Sequence, residues 1–458
     1  MSYDLIVIGG GPAGYVAAIR ATQLGKKVAC VEMERAGGTC LNWGCIPTKA
    51  LLKNAELYHT LKHRADEFGL KVEGLSYDWS KVIQRSRKVS DKLCGGIEFL
   101  FKKNKVDYIR GEASIPESGK VEVTAADGTT QTYTTKNILI ATGAKSRDMP
   151  GFPFNGTTVI GSHEAMILPQ QPKELIIVGA GAIGIEFAYF YNAYGTKVTV
   201  VEMLPNILPV EDTEISETLE KSLTKAGIKI LTNTKVVSAS ENGQSVTLEV
   251  EGATKQTLTA DKCLVAIGVK PLLPKGADFK LTERGWLNVD SRYQTNLKDV
   301  YAAGDIIGPP WLAHVASFEA VQAVEGMFTS HQPKKVGVFP GCTYCHPQVA
   351  SVGMTERAVK EKGLKYKVGK FPYQASGKAL AAGDSEGFVK IIYAKPHGEI
   401  LGAHIIGSES TEMIAEIGLA MNLEATWDEI EGTIHAHPTL SEMIKEATEV
   451  AKGHPIHV

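Results

Sequence analysis

The segment GGTCLNWGCIPTKALL, residues 37–52, holds Cys40 and Cys45 with four residues between them, beside a glycine pair, a proline and Lys49. Two thiols so placed can close a disulfide, contribute to a metal site, or pack as inert core residues. At the other end of the chain, HAHPTLSE (435–442) brings His435, His437 and Glu442 together. A carboxylate on one imidazole nitrogen fixes the tautomer and leaves the other nitrogen to take a proton, for instance from a thiol. His-x-His could also begin a metal site, but it supplies two ligands and no third is evident, so no metal is expected. A lone histidine beside an acid is more often structural than catalytic, and both readings stand at this point. Cys342-x-x-Cys345-His346 spells the c-type haem attachment motif. With no export signal ahead of it, two core or interface thiols are the better reading; a second redox pair or a zinc site are the alternatives.

Seven cysteines, an odd number at irregular spacing, argue against a secreted disulfide framework. The N-terminus, MSYDLIVIGGGPAG, is apolar at once but broken by Gly and Pro and has no basic leader. Neither a signal peptide nor a membrane span is expected, and the compartment reads as cytoplasmic, although a mature organellar-matrix protein would look the same. The net charge of −2 gives no electrostatic case for nucleic acid or an anionic membrane. At 458 residues, with 43% hydrophobic and 22% charged residues, the chain can build several cores.

The elements that must position the thiols begin at the first residues. An apolar strand, Leu5–Ile8, runs into Gly9-x-Gly11-x-x-Gly14, then a helix-like stretch, then a second strand ending on Glu32. Gly9 permits the tight turn, Gly11 lets a pyrophosphate approach the backbone, and Gly14 lets helix pack on strand. The helix N-terminus offers free N–H groups to the phosphates, and Glu32 can accept from a ribose. The pattern recurs over 175–202 with Gly179, Gly181, Gly184 and Glu202, and first Gly to terminal Glu spans the same 23 positions in both copies. Two complete fingerprints imply two dinucleotide sites, as in a flavoprotein that exchanges hydride with a nicotinamide cofactor. Glu202 accepts from a free 2′-hydroxyl and repels a 2′-phosphate, and Met203, Leu204 and Pro205 provide no cation, so NAD is expected over NADP. Glu32 fits FAD.

Further along, ILIATGAKSRDMPG (138–151) carries Gly143 into a Gly/Pro-rich linker, and LVAIGVKPLLP (264–274) carries Gly268 in the same style. TNLKDVYAAGD (295–305) is an apolar strand ending on Asp305, which could reach a polar cofactor group from the C-terminal end of a sheet strand. From about residue 340 the texture changes to alternating strands such as GFVKIIY and EILGAHIIG, followed by amphipathic helices such as ESTEMIAEIGLAMN. The expected fold class is α/β: two Rossmann-like dinucleotide-binding domains and a C-terminal α+β domain. The expected divisions are 1–148 (FAD), 149–270 (NAD), 271–338 (a central segment completing the FAD site) and 339–458 (interface).

With these motifs in this order, the chain resembles the pyridine nucleotide–disulfide oxidoreductases over essentially its whole length, and most closely the branch that oxidises dihydrolipoyl dithiols. The sharpest elements are Gly37–Lys49, the two fingerprints, YAAGD (301–305) and HAHPTLSE. The resemblance implies that Cys40 and Cys45 form a redox disulfide against a flavin, Cys40 exchanging with substrate and Cys45 passing electrons to the ring. It makes His437 the acid–base residue and Glu442 its orienting carboxylate, acting across an obligate homodimer. Lys49, otherwise read as a solvated helix residue, becomes the lysine beside the flavin, with Glu186 as its ion-pair partner. Gly38, Thr39, Ala113, Asp305 and the run Leu312, Ala313 and His314 are expected around FAD. Two departures stand out: Val315 and Phe318 where the family has a lysine and acidic residues, and Cys345 and Gln348 where it has Thr and Glu. The implied activity is FAD-dependent oxidation of protein-bound dihydrolipoyl groups by NAD. Partners would be the lipoyl-bearing components of 2-oxoacid dehydrogenase or glycine cleavage complexes. A sibling reductase acting on glutathione or mercuric ion, and a non-catalytic flavoprotein binding module, are the alternatives.

Overall fold

The computed structural model describes residues 2–458. The chain packs into two units: one runs to Leu51 and includes Asp78–Arg147 and Gly268–Gly337, the other comprises Leu52–Tyr77, Asp148–Ile267 and Val338–Val458.

In the first unit the strand Ser2–Ile8 is central and pairs in parallel with Val28–Glu32 on one side and Thr130–Ile140 on the other. Asp107–Arg110 extends the sheet beyond Val28–Glu32, and Val300–Ala302 joins the far end of Thr130–Ile140, also in parallel. Leu5, Ile6 and Val7 are fully buried, as expected of a strand covered on both faces. The helix Pro12–Gln23 covers one face with Ala13, Ala17, Ala18 and Ala21. This stripe of small side chains packs in one apolar cluster with Ala316, Ala320 and Ala323 of the helix Ala313–Phe328. Pro12 opens the first helix, where its missing N–H costs nothing. The first half of Thr130–Ile140 instead carries an antiparallel meander with Lys120–Thr124 and Glu112–Glu117.

The second unit repeats the design. A parallel sheet runs in the order Lys229–Leu231, Lys197–Val201, Glu174–Val178, Lys262–Val265, Val159–Ile160. A three-stranded meander of Lys235–Glu241, Val246–Glu251 and Lys255–Ala260 accompanies it. From Pro340 onward five antiparallel strands, including Phe388–Ala394 and Ile400–Gly407, form the C-terminal sheet. The helices Ser410–Asn422 and Glu442–Lys452 bury Met413, Ile414, Ile417, Met443 and Ile444 in its core. The fold is thus the expected one, two dinucleotide-binding βαβ units and a C-terminal α+β domain. No helix among the described residues is long and apolar enough to cross a membrane.

One charged feature lies inside the second unit. Lys390, on a core strand and 1% exposed, donates to Asp212 (2.9 Å) and Glu356 (2.7 Å) and lies 2.7 Å from Glu214. Asp212 also caps the helix Thr213–Lys225 and accepts from the Glu356 N–H, so one ammonium ties that helix to the C-terminal sheet.

Candidate active site

Cys40 lies within the short helix Gly38–Asn42, and Cys45 opens the helix Cys45–His63. The turn into the first helix needs glycine: Gly37 has φ +106°, and a Cβ there would press on Leu41 and the Cys94 thiol. At Gly38 (φ +55°) an added Cβ would overlap the Gly11 Cα, so the two backbones touch. The Gly37 N–H donates to the Gly10 carbonyl at 2.8 Å, seating the thiol segment on the first fingerprint turn. The other side is held by the helix Trp79–Lys103. Arg87 donates to the Asn42 carbonyl (2.7 Å), Ser90 to the Leu41 carbonyl (2.5 Å) and the Cys94 thiol to the Asn42 side chain (3.0 Å). Asn42 in turn donates to the Gly38 carbonyl at 2.9 Å. Arg87, Ser90 and Cys94 share one helix face, as their three- and four-residue spacing requires.

Both thiols are half-buried. They are hydrogen-bonded to each other; that bond, and burial after it, push Cys40 strongly upward, while the Lys49 ammonium pulls the other way. The two thiols therefore titrate as a pair, and removing one proton leaves a single negative charge shared over both sulfurs beside Lys49.

The two glycine turns form matching cradles. Gly9 and Gly179, with φ +104° and +102°, leave no room for a Cβ against the carbonyls of Ala141 and Ala266. Gly14 and Gly184 are crowded in the same way by the carbonyls of Gly9 and Gly179. At Gly181 an added Cβ would meet open space, the access a pyrophosphate needs. Glu32 accepts from the N–H groups of Gly10 (2.7 Å) and Glu34 (2.8 Å). Glu202 accepts identically from Ala180 (2.7 Å) and Leu204 (2.8 Å). Each carboxylate oxygen retains a lone pair for a ribose hydroxyl. Both turns thus fit a dinucleotide, and Met203 and Leu204 beside Glu202 are exposed apolar side chains.

Around the first turn, Asp305 follows the strand Val300–Ala302, and burial raises its carboxyl to about 6. Leu312 is the N-cap of the 16-residue helix Ala313–Phe328, which begins with Ala313 and His314. Of the two departures here, Val315 is buried in the core and Phe318 is exposed. Gly143 and Gly268, both at positive φ, flank the antiparallel pair Ala144–Ser146 and Val269–Pro271. Ala113 lies on the meander opposite Val123, and Thr39 is exposed beside Cys40. Lys49 is half-buried, one turn into the helix from Cys45.

The remaining candidates lie in the second unit. Glu186, 4% exposed, accepts the Tyr344 N–H at 2.9 Å. His437 Nδ1 and Glu442 Oε1 are 2.9 Å apart, and the Thr439 N–H donates to the other Glu442 oxygen at 2.8 Å. Burial alone would raise Glu442, but the Thr439 N–H and His437 outweigh it and hold the carboxyl below its usual range. With Nδ1 committed, Nε2 is the nitrogen left to exchange protons, and the His437 side chain is 81% exposed. His435 is separate: its ring, 6% exposed, pairs through Nε2 with Glu416 at 2.6 Å. Among the described residues no three His, Cys, Asp or Glu side chains are arranged to hold a metal ion.

Cys342 lies on the strand Pro340–Thr343 against the C-terminal core, and Cys345, fully buried, donates to the Pro347 carbonyl at 3.2 Å. Both are packed thiols, as expected. Sequence reading missed Asn42, Arg87, Ser90 and Cys94 around the thiol segment, and Glu319 behind Asp305. None carries a motif; only the contacts made on folding reveal them.

Comparison with known proteins agrees with this geometry. A family model described as pyridine nucleotide-disulphide oxidoreductase matches residues 3–320, and the dimerisation domain of the same family matches 339–448. A dihydrolipoyl dehydrogenase of Rhizobium etli is 47% identical, with 99% of this chain and 98% of the relative aligned. The Bacillus subtilis protein of that name is 44% identical over 99% of each. Among solved structures, LpdA from Mycobacterium tuberculosis superposes with a TM-score of 0.89 at 26% identity, covering 97% of this chain and 99% of that one. The Cu(II) complex of the HOCl-induced flavoprotein disulfide reductase RclA from Escherichia coli gives 0.88 at 27%, covering 98% and 99%. Two nucleotide cradles, a thiol pair seated on the first of them and full-length relatives converge on one statement: the chain belongs to the pyridine nucleotide-disulphide oxidoreductase family, dimerisation domain included.

Proposed function

We propose that this chain is a dihydrolipoyl dehydrogenase, oxidising protein-bound dihydrolipoyl groups with NAD through FAD and the Cys40–Cys45 pair. The observation that carries the reading is the hydrogen-bonded thiol pair docked on the first fingerprint turn, in a chain with a second, carboxylate-ended fingerprint. The full-length relatives of that name support it. The first cradle would hold FAD, with Glu32 toward its ribose and Asp305 and the Leu312–His314 helix start around its other end. The second would hold NAD on Glu202. FAD, when bound, supplies a two-electron acceptor between the dithiol and NAD.

The residues act in sequence. A substrate thiolate attacks the Cys40 sulfur of the oxidised pair, forming a mixed disulfide and expelling Cys45 as the thiolate. His437 Nε2 takes the proton of the second substrate thiol, whose sulfur then attacks the substrate sulfur bound to Cys40 and releases Cys40. The lipoyl group leaves as its cyclic disulfide, and two electrons stay on the cysteine pair. Glu442 holds Nδ1 protonated and stabilises the imidazolium. The high exposure of His437 suits a residue that completes its site on a second copy of the chain, so we assign the histidine to the partner's cysteines in a homodimer. Lys49 is proposed to lie beside the flavin. The functional divisions 1–148, 149–270, 271–338 and 339–458, lipoyl-bearing partners of the 2-oxoacid dehydrogenase or glycine cleavage complexes, and a cytoplasmic setting belong to the same proposal.

Steady-state assays of purified holoenzyme test it. Dihydrolipoamide with NAD should give rapid NADH formation, and oxidised glutathione with NADPH should give almost no turnover. Turnover only with the second couple would replace this reading by the reductase one.

A further inference from the structure

Behind the Gly304–Asp305 turn is a second buried acid that the proposed mechanism leaves without a task. Glu319, 8% exposed, accepts the Gly304 N–H at 2.8 Å. Gly304 has φ +81°, and a Cβ there would press on Ala13 of the first helix and on Ala316. The turn that presents Asp305 is therefore wedged between two helices and held by one carboxylate. Glu319 also lines a cavity of about 290 Å³, with Asp290, Tyr293, Lys334 and Lys335.

We propose that Glu319 is a positioning residue of the flavin site, orienting the Gly304–Asp305 turn and switching the charge beneath it by exchanging a proton through this cavity. The proposal rests on the reading that Asp305 faces FAD. The charges around Glu319 are Asp305 on the turn, Asp290 and Tyr293 on the preceding loop, and Lys334 and Lys335 beyond its own helix. On that helix, Gln322 is neutral and meets His331 Nε2 at 2.9 Å, and Glu325 is paired with Arg20 and lies 3.8 Å from the same histidine. Burial raises Glu319 to about 7; the Gly304 N–H opposes this and the Asp305 carboxylate adds to it. Two neighbouring carboxyls that both titrate near neutrality share charge rather than ionise independently. As pH rises through about 7, Glu319 gains its charge and a second anion appears behind Asp305.

The test uses oxidised holoenzyme without dithiol or NAD, so failure of dihydrolipoamide turnover does not touch it. Flavin fluorescence and absorbance of the wild type should show a step near pH 7. Glu319→Gln, which keeps the size and the acceptor, should retain FAD and lose the step near pH 7, leaving only the titration of Asp305 below it. Glu319→Leu, which removes the acceptor, should hold FAD about tenfold more weakly, the scale of one lost buried hydrogen bond. A step that keeps its wild-type midpoint near pH 7 in Glu319→Gln overturns the charge switch. Wild-type FAD affinity in Glu319→Leu overturns the positioning role; if that variant does not fold, the pH titration of Glu319→Gln decides alone.

Discussion

The Gly37 N–H donates to the carbonyl of Gly10 across 2.8 Å, and next to it the backbones of Gly38 and Gly11 are in contact. Through these two adjoining contacts the segment that carries Cys40 and Cys45 and the first fingerprint turn become one surface. In the proposed function this makes the distance from the thiol pair to FAD a property of the fold.

That relationship makes Gly38 a sensitive position. Gly38→Ala must push the thiol segment off the fingerprint turn, because the added carbon has backbone in front of it and cannot be accommodated by a rotamer change. FAD should be released at lower denaturant or temperature, with a stability loss of about 1–3 kcal/mol. Thermal unfolding followed by flavin fluorescence measures it; an unchanged midpoint would mean the contact carries no strain.

Glu442→Gln keeps a hydrogen-bond acceptor for His437 Nδ1 but removes the charge that stabilises the imidazolium. Dithiol oxidation should fall by about 10- to 1000-fold, while reduction of an artificial acceptor by NADH changes little, since that half-reaction does not use His437. Equal losses in both assays would place Glu442 outside the proton path.

The Lys390 network should make the second unit sensitive to both acid and alkali. Burial alone would raise Glu356, but Lys360, Lys390 and Tyr366 bring its carboxyl down to about 2. The sign follows: its stabilisation is complete above the unfolded value of about 4.3 and is lost as pH falls toward about 2. Lys390 is raised, its carboxylate partners outweighing burial, so its contribution is complete below about 10.4 and fades as pH rises above that. Lys390→Met leaves the buried Asp212 carboxylate without its cation and should cost about 3–5 kcal/mol at neutral pH. Urea unfolding between pH 3 and 11 checks both limits, and a variant as acid-sensitive as the wild type would show that the network is not the acid-labile element.

Nicotinamide preference should follow Glu202. Each of its oxygens is held by one backbone N–H, so the carboxylate is fixed where a 2′-substituent would arrive. Glu202→Ala together with Met203→Arg should weaken NAD and improve NADP, shifting the ratio of kcat/KM by about 100-fold or more. A ratio that does not move would mean that the second fingerprint is not the nicotinamide site.

What could be read without coordinates has a physical pattern. The Gly and Glu positions of both fingerprints follow from backbone geometry that few other residues satisfy, so Gly9, Gly14 and Glu32 announce themselves, as do their second copies. Asn42, Arg87, Ser90 and Cys94 do not, because any amphipathic helix offers such residues and only the packed thiol segment gives them a purpose. Lys390 reads as a surface residue of an alternating strand until three carboxylates from other elements surround it. Glu319 is hidden in the same way: in a largely apolar helix an acid looks incidental until its Gly304 partner is seen.

The account stands most directly on the separate roles of the two thiols, and one anaerobic titration tests them. Holoenzyme, Cys40→Ser and Cys45→Ser would each be titrated with dihydrolipoamide while the visible spectrum is followed. Wild type should be reduced within seconds and develop a long-wavelength thiolate–flavin band. Cys40→Ser should show that band without added dithiol, because Cys45 remains. Cys45→Ser should lack it at every stage although FAD stays bound. A long-wavelength band in Cys45→Ser, or a wild type that dihydrolipoamide leaves oxidised, would contradict the account.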